Sequence, residues 1–244
     1  MKKLLILLLL SLAFIGSASA DIVDTNILKL KAIHSCVGCD LRGANLSGAK
    51  LVSFDLSEAN LSGADLSNAL LGDVNFSYAN LSDANLSKSN LRHAKFHGAN
   101  LRGVNLSESD LFRVDFSNSS YGWDDYIKPN LVEANLSGAK LKDVNLEGAY
   151  LSNADLSGAD LTNALITYAD LSGADLSKAK LSEAILSFSN LKGVNLRGAN
   201  LYGASLGVAD LTDADLRNAE LGAVTLGILC NTQTPWGIDN SDCK

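Results

Sequence analysis

The four cysteines sit as two close pairs, Cys36/Cys39 and Cys230/Cys243. Cys36-Val37-Gly38-Cys39 has the spacing of a redox motif, and a reactive or metal-binding pair is one reading of it. No strand–helix–strand pattern surrounds the motif and no His follows it, which removes covalent haem attachment and leaves a structural disulfide or packed thiols as the other reading. His93 and His97 are four apart, which would align them on a helix. Residues 117–130, SNSSYGWDDYIKPN, concentrate Tyr121, Trp123, Tyr126 and Pro129 in an otherwise monotonous chain. Whether any of these is a working site depends on what the surrounding sequence builds.

The chain opens MKKLLILLLLSLAFIGSASA. Lys2 and Lys3, an apolar run from Leu4 to Ile15 broken by Ser11, and Ala18-Ser19-Ala20 before Asp21 read as a cleavable secretory leader over 1–20, too short to span a bilayer comfortably. No later segment is apolar enough to cross a membrane, so the expected location is the periplasm, a thylakoid lumen or the extracellular space. In such an oxidising compartment the paired cysteines read first as disulfides, Cys36–Cys39 and Cys230–Cys243. The net charge is −7, and two units more negative without Lys2 and Lys3. That balance argues against direct contact with a nucleic-acid backbone.

From Leu41 to Leu226 the sequence keeps a period of five. Setting the 117–130 stretch aside, the centres of the repeat number 36, of which 32 are Leu, three Phe and one Ile. Ala stands two before the centre in 24 of them, and Asn or Asp just before it in 25, so the motif is A-(D/N)-L-x-x. A helix would turn these leucines around its axis by roughly 140° per repeat, and a flat strand would send alternate ones to opposite faces. If the centre and the residue two before it face inward and the chain bends at x-x, every Leu and Ala shares one interior, and the chain must wind as a solenoid. Phe76, Phe96 and Phe116 recur at intervals of twenty, and Phe54, Val74 and Val114 keep the same phase, so four repeats make one turn.

Runs such as ANLSGADLSNALL and ADLSGADLTNALI resemble the pentapeptide-repeat proteins over nearly all of 39–228. The resemblance implies an all-β fold, a right-handed quadrilateral parallel β-helix. CVGCDLRGANLSGAKL and CNTQTPWGIDNSDC are similar to the ends of secreted bacterial, often cyanobacterial, members. The expected organisation is a leader at 1–20, an N-terminal cap at 21–38, the β-helix at 39–228 and a C-terminal cap at 229–244. Some nine four-sided coils would make a rod of roughly 43 Å. Open ends would expose unpaired backbone, so a short helix N-capped by Asp24, Thr25 or Asn26, with Ile27, Leu30 and Ile33 on the first coil, is expected at one end. The Cys230–Cys243 loop, with Trp236 over the last coil, is expected at the other.

In this frame Cys39 takes an inward slot, His93 and His97 lie outward on successive sides, and the two cysteine pairs stand too far apart for one zinc site. The carboxylates form an outer lattice without a cleft, which argues against an enzyme and implies no metal or cofactor. The expected function is a structural or protein-interaction rod, its partner a protein, itself a monomer or an end-to-end dimer. Two alternatives stand beside it. Cytoplasmic members of the family mimic duplex DNA and protect gyrase, which the leader argues against; a redox or metal role through Cys36/Cys39 is the other.

The outward positions hold one irregularity. Leu165 and Ile185 occupy the Asn/Asp slot twenty residues apart, and Tyr168 and Phe188 are also twenty apart, which places four apolar side chains on adjacent coils of one face. Such a patch marks an interface or a covered surface. The 117–130 stretch bears on it through phase. Val144, Ile166 and Val224 rejoin the phenylalanine side, and Val104 aligns with Val194, if ten residues near 119–128 bulge out uncounted. Ser189 matches Ser89 and Ser109 only if nothing is subtracted. The bulge would leave the face that carries the patch, with Tyr121, Trp123 and Tyr126 either folded over it as a lid or exposed to a partner.

Overall fold

The computed structural model describes residues 18–114, 116 and 128–243. Helix α1 (Ala18–Ile33) precedes the repeat, and a hairpin of β1 (Thr232–Thr234) and β2 (Gly237–Asp239) follows it. Between them each side of the coil is too short for a named strand and contributes one parallel bridge to the next coil.

The hydrogen bonds explain why a five-residue unit repeats. The centre N–H donates to a carbonyl one coil on, as Leu61 does to Asn80 at 2.7 Å, and the Asn80 N–H donates back to Ala59 at 2.9 Å. At the corner the Ala64 N–H donates to the Leu61 carbonyl at 3.0 Å, while Gly63, at φ 64°, turns the chain through the left-handed region. Leu and Ala thereby point inward, and both are buried along almost the whole repeat.

Bridges join residues twenty apart, so four repeats make a coil; its sides are numbered here by the bridging residues Asp40, Asn45, Lys50 and Asp55. Three bridges are longer, Asn100–Asn130, Asn105–Asn135 and Asp110–Lys140 joining residues thirty apart, and two at the C-terminal end, Asp210–Ile228 and Asp215–Gln233, join residues eighteen apart. The rings of Phe96 and Phe116 still stack on the fourth side, with centroids 5.4 Å apart, and Asn130 lies on the first. Ten residues beyond the ordinary coil therefore lie between Phe116 and Asn130. Residues 117–127, with Tyr121, Trp123 and Tyr126, lie outside the described residues.

With that step Val144, Ile166 and Val224 stand on the phenylalanine side, and Val104 and Val194 share the second. Ser189 stands on the first side, half a turn from Ser89 and Ser109 on the third. All three are buried, and each hydroxyl donates to the carbonyl three residues earlier, at 2.5 to 2.6 Å. An inward serine satisfies itself locally, so it carries no information about phase.

The two ends differ from the expectations. Among the described residues helix α1 spans Ala18–Ile33, so Asp24, Thr25 and Asn26 lie within it rather than at its N-terminus. Val23, Ile27 and Leu30, at i, i+4 and i+7, pack on the core, whereas Ile33 is 56% exposed because it falls about 80° off that stripe. The Asn26 amide donates to the Asp40 carbonyl at 2.8 Å and ties α1 to the first coil. At the other end Trp236 is 64% exposed in the hairpin turn. The inward groups there are Leu229, Thr232 and Thr234, and the Thr232 hydroxyl donates to the Leu211 carbonyl at 2.7 Å. This segment continues the first and second sides through the Asp210–Ile228 and Asp215–Gln233 bridges, leaving Leu221, Val224 and Leu226 partly exposed.

Outside the core, the residue before each centre does two things. Its side-chain oxygen accepts the N–H two residues on, as Asp65 does from Ser67 at 2.9 Å. An Asn also donates down the rod: Asn100 to Asn80 at 3.1 Å, and Asn80 to Asn60 at 3.3 Å. An Asp has no proton to donate, so it accepts the amide of an Asn above it, as Asp65 does from Asn85 and Asp175 from Asn195, and donates nothing to the residue below, Asn45 or Asp155. Asp110, Asp210 and Asp215 each stand above an Asn and take a cation instead, from Arg92, Lys192 and Arg217. Asp155, above Asn135, accepts only from the Ser157 N–H.

This polarity separates two similar substitutions. Asn60→Asp keeps the acceptor that Asn80 uses and is expected to change the urea midpoint little. Asn80→Asp loses the donor and sets a carboxylate against the Asn60 oxygen, for an expected loss of about 1–2 kcal/mol; equal effects would show that the ladder has no direction. The Ser67 N–H holds the Asp65 carboxyl below its ordinary 3.8, and the Arg217 guanidinium does the same for Asp215. A depressed folded pKa adds stability above the unfolded value and loses it as pH falls through the folded one. The urea midpoint should therefore hold from about pH 7 to about pH 5 and drop below about pH 4, less steeply in Asp215→Asn.

Candidate interaction surface

The chemistry suggested by residue type is absorbed into the frame. Cys36–Cys39 and Cys230–Cys243 are both disulfides, and Cys36 and Cys39 are buried in inward slots. The His93 ring meets Phe112 edge-on, and His97 meets Tyr78. Among the described residues no three His, Cys, Asp or Glu side chains could hold a metal together. A cavity of 350 Å³ beside α1 is floored by Leu30, Leu46, Leu51 and Phe54, with His34 and Lys50 at its rim.

The apolar irregularity is a surface feature. Leu165 and Ile185 bridge each other on the fourth side; Leu165 is half-buried and Ile185 is 43% exposed, in the slot where ladders of Asn and Asp otherwise run. Tyr168 and Phe188 occupy the corner between the fourth and first sides, 58% and 51% exposed. Their rings stack nearly parallel, 8° between planes and 5.1 Å between centroids.

Val208, which the sequence reading missed, continues the corner one coil further and is 62% exposed. The signal was present, since 168, 188 and 208 are twenty apart. Tyr168, Phe188 and Val208 have φ of 59°, 64° and 61°, a region that bulky or β-branched residues avoid at about 1–2 kcal/mol each. The same column holds Gly38, Gly98 and Gly148, and also Glu58 and Tyr78 at φ 60°, so what sets this stretch apart is three bulky apolar or aromatic residues in succession. Beneath the patch, Lys128 lies along Gly148 with its Nζ 5.5 Å from the centre of the Tyr150 ring. Lys128, where the described chain resumes after Phe116, holds this corner two coils below Tyr168.

The pentapeptide repeat model matches residues 39–77, 79–118, 130–167, 159–198, 169–207 and 189–226. The chain belongs to the pentapeptide repeat family. Members of this family are generally structural or interaction proteins, and its fold is a right-handed quadrilateral β-helix. A pentapeptide repeat protein from the Arabidopsis thaliana thylakoid lumen is 36% identical, over 40% of this chain and 68% of that one, with a TM-score of 0.39. HetL, involved in heterocyst differentiation regulation in the cyanobacterium Nostoc, is 29% identical over 86% of this chain and 96% of its own, with a TM-score of 0.36. QnrB1, a plasmid-mediated fluoroquinolone resistance protein, is 21% identical over 79% and 87%, with a TM-score of 0.44. No curated protein matches the chain. Among the described residues no helix is long and apolar enough to cross a membrane.

Val208 gives a direct test of the backbone cost. Glycine adopts this φ freely and little of Val208 is buried, so Val208→Gly should raise unfolding stability by about 1 kcal/mol. An unchanged or lower denaturation midpoint would mean that the valine is there for the stability of the coil.

Proposed function

We propose that this protein is a non-enzymatic interaction rod of an extracytoplasmic compartment, and that the face carrying Leu165, Tyr168, Ile185 and Phe188 is its contact surface. One observation carries the second part. Tyr168, Phe188 and Val208 hold three successive left-handed corner positions beside two apolar residues in the polar slot, whereas elsewhere in this column Gly38, Gly98 and Gly148 alternate with Glu58 and Tyr78, and the polar slot is mostly Asn or Asp. Residues that oppose local stability and exposed apolar surface together are expected where a second molecule binds. The compartment rests on the leader at 1–20 and on the two disulfides, which an oxidising environment maintains. In this reading 21–38 and 229–244 close a solenoid of about nine coils, a rod of roughly 43 Å.

A photo-crosslinking residue at Phe188, compared with the same residue at Ser157 on the opposite corner, tests the surface in the native cell. Position 188 should give a discrete adduct that Ile185→Asn abolishes, and position 157 none. Identical adducts from both positions, or none from 188, would refute the assignment. The N-terminus of the purified protein should be Asp21; retention of Met1 would refute the compartment.

A further inference from the structure

Beyond its being an interface, we propose that this face takes an amphipathic helix with basic flanks, laid along the rod axis; the proposal rests on the interface reading above. Spacing supplies the first reason. Tyr168, Phe188 and Val208 follow one another coil by coil, at steps of about 4.8 Å as between neighbouring strands. Successive turns of a helix rise about 5.4 Å, so apolar side chains at i, i+3 or i+4, and i+7 meet the three steps nearly in register over a patch of about 10 Å. An extended strand repeats its facing side chains every 6.6 Å or so and loses register within two steps. Leu165 and Ile185 form the second wall of the seat.

Charge supplies the second reason. Glu147 is exposed on the coil below Thr167, Asp170 lies on the first side beyond Tyr168, and Glu183 lies two residues before Ile185 with its carboxylate over Gly203. None of the three is in an ion pair among the described residues. Asp170 accepts only from the Ser172 N–H and the Asn190 amide. Lys128, a cation on this corner, is set against the Tyr150 ring. An apolar strip bordered by unpaired carboxylates complements Lys and Arg on either side of an apolar helix face, and repels anionic lipid.

The probe is a fluorescently labelled helical peptide of about 14 residues, roughly four turns, with leucines at i, i+3, i+4 and i+7 and lysines elsewhere. A second peptide has glutamate for every lysine. Anisotropy with the purified protein should show binding of the lysine peptide and at least about tenfold weaker binding of the glutamate peptide. Ile185→Asn with Phe188→Gly, both residues native to these slots elsewhere, should weaken the lysine peptide about tenfold or more while leaving the circular dichroism unchanged. Glu147→Gln with Glu183→Gln should weaken it and flatten its salt dependence.

Equal binding of both peptides would overturn the basic partner and leave the interface standing. Binding indifferent to the Ile185/Phe188 substitutions would overturn the interface itself. Failure of both peptides to bind would overturn the helix seat. A protein dimer in sedimentation that the Ile185/Phe188 variant abolishes would put a second copy on this face, and cosedimentation with phosphatidylglycerol vesicles would put a membrane there; either overturns the proposal.

Discussion

Everything in this molecule follows from one hydrogen bond repeated at every centre, the N–H of an inward leucine donated to a carbonyl one coil further on. That bond and its return partner, such as Leu61 to Asn80 and Asn80 to Ala59, set each residue beside the one twenty ahead and so stack like on like. Phe76, Phe96 and Phe116 pile into a column of rings, and Asn60, Asn80 and Asn100 into a line of amides. A residue's neighbours along the rod are then decided by its phase in the period. The cooperative unit is the contact between adjacent coils, as in other solenoids.

That stacking gives the outer lattice a direction. Amides donate toward the N-terminal end while their oxygens take the backbone N–H two residues on, so a side chain without a proton fits best at the bottom of a run. Aspartate under asparagine and aspartate beside arginine are two solutions to the same constraint.

Against this lattice the fourth-to-first corner stands out in polarity: it shares the left-handed turn of the other corners but fills it with bulky apolar and aromatic side chains. Tyr168, Phe188 and Val208 hold a backbone geometry that their side chains disfavour, and the N–H groups of Tyr168 and Phe188 tie their corners to the next coil at the Ser187 and Gly207 carbonyls. A rigid scaffold can thus carry locally unfavourable residues at small expense to the whole. The ten additional residues join at the same corner without disturbing the register on either side, since the coil resumes with Asn130 over Asn100.

The period of five, the four-sided coil and the ten-residue excess were legible in the sequence, because thirty-odd copies of one unit report the same geometry redundantly and bulky inward residues mark the phase. Leu165, Ile185, Tyr168 and Phe188 could be placed on one face for the same reason; Val208 was overlooked although it kept the spacing. The ends were legible only in part: the helix with Ile27 and Leu30 on the core and the two disulfides were expected, the rest was not. Ile33, Trp236 and the supposed capping residues Asp24, Thr25 and Asn26 occur once each, so no periodicity corrects an error of rotation or boundary. Their positions were settled by how α1 and the β1–β2 hairpin lie on the coil. Only the tertiary structure could show that Lys128 lies against Tyr150 or that Tyr168 and Phe188 stack face to face. Those contacts depend on where side chains lean between coils, which the repeat leaves free.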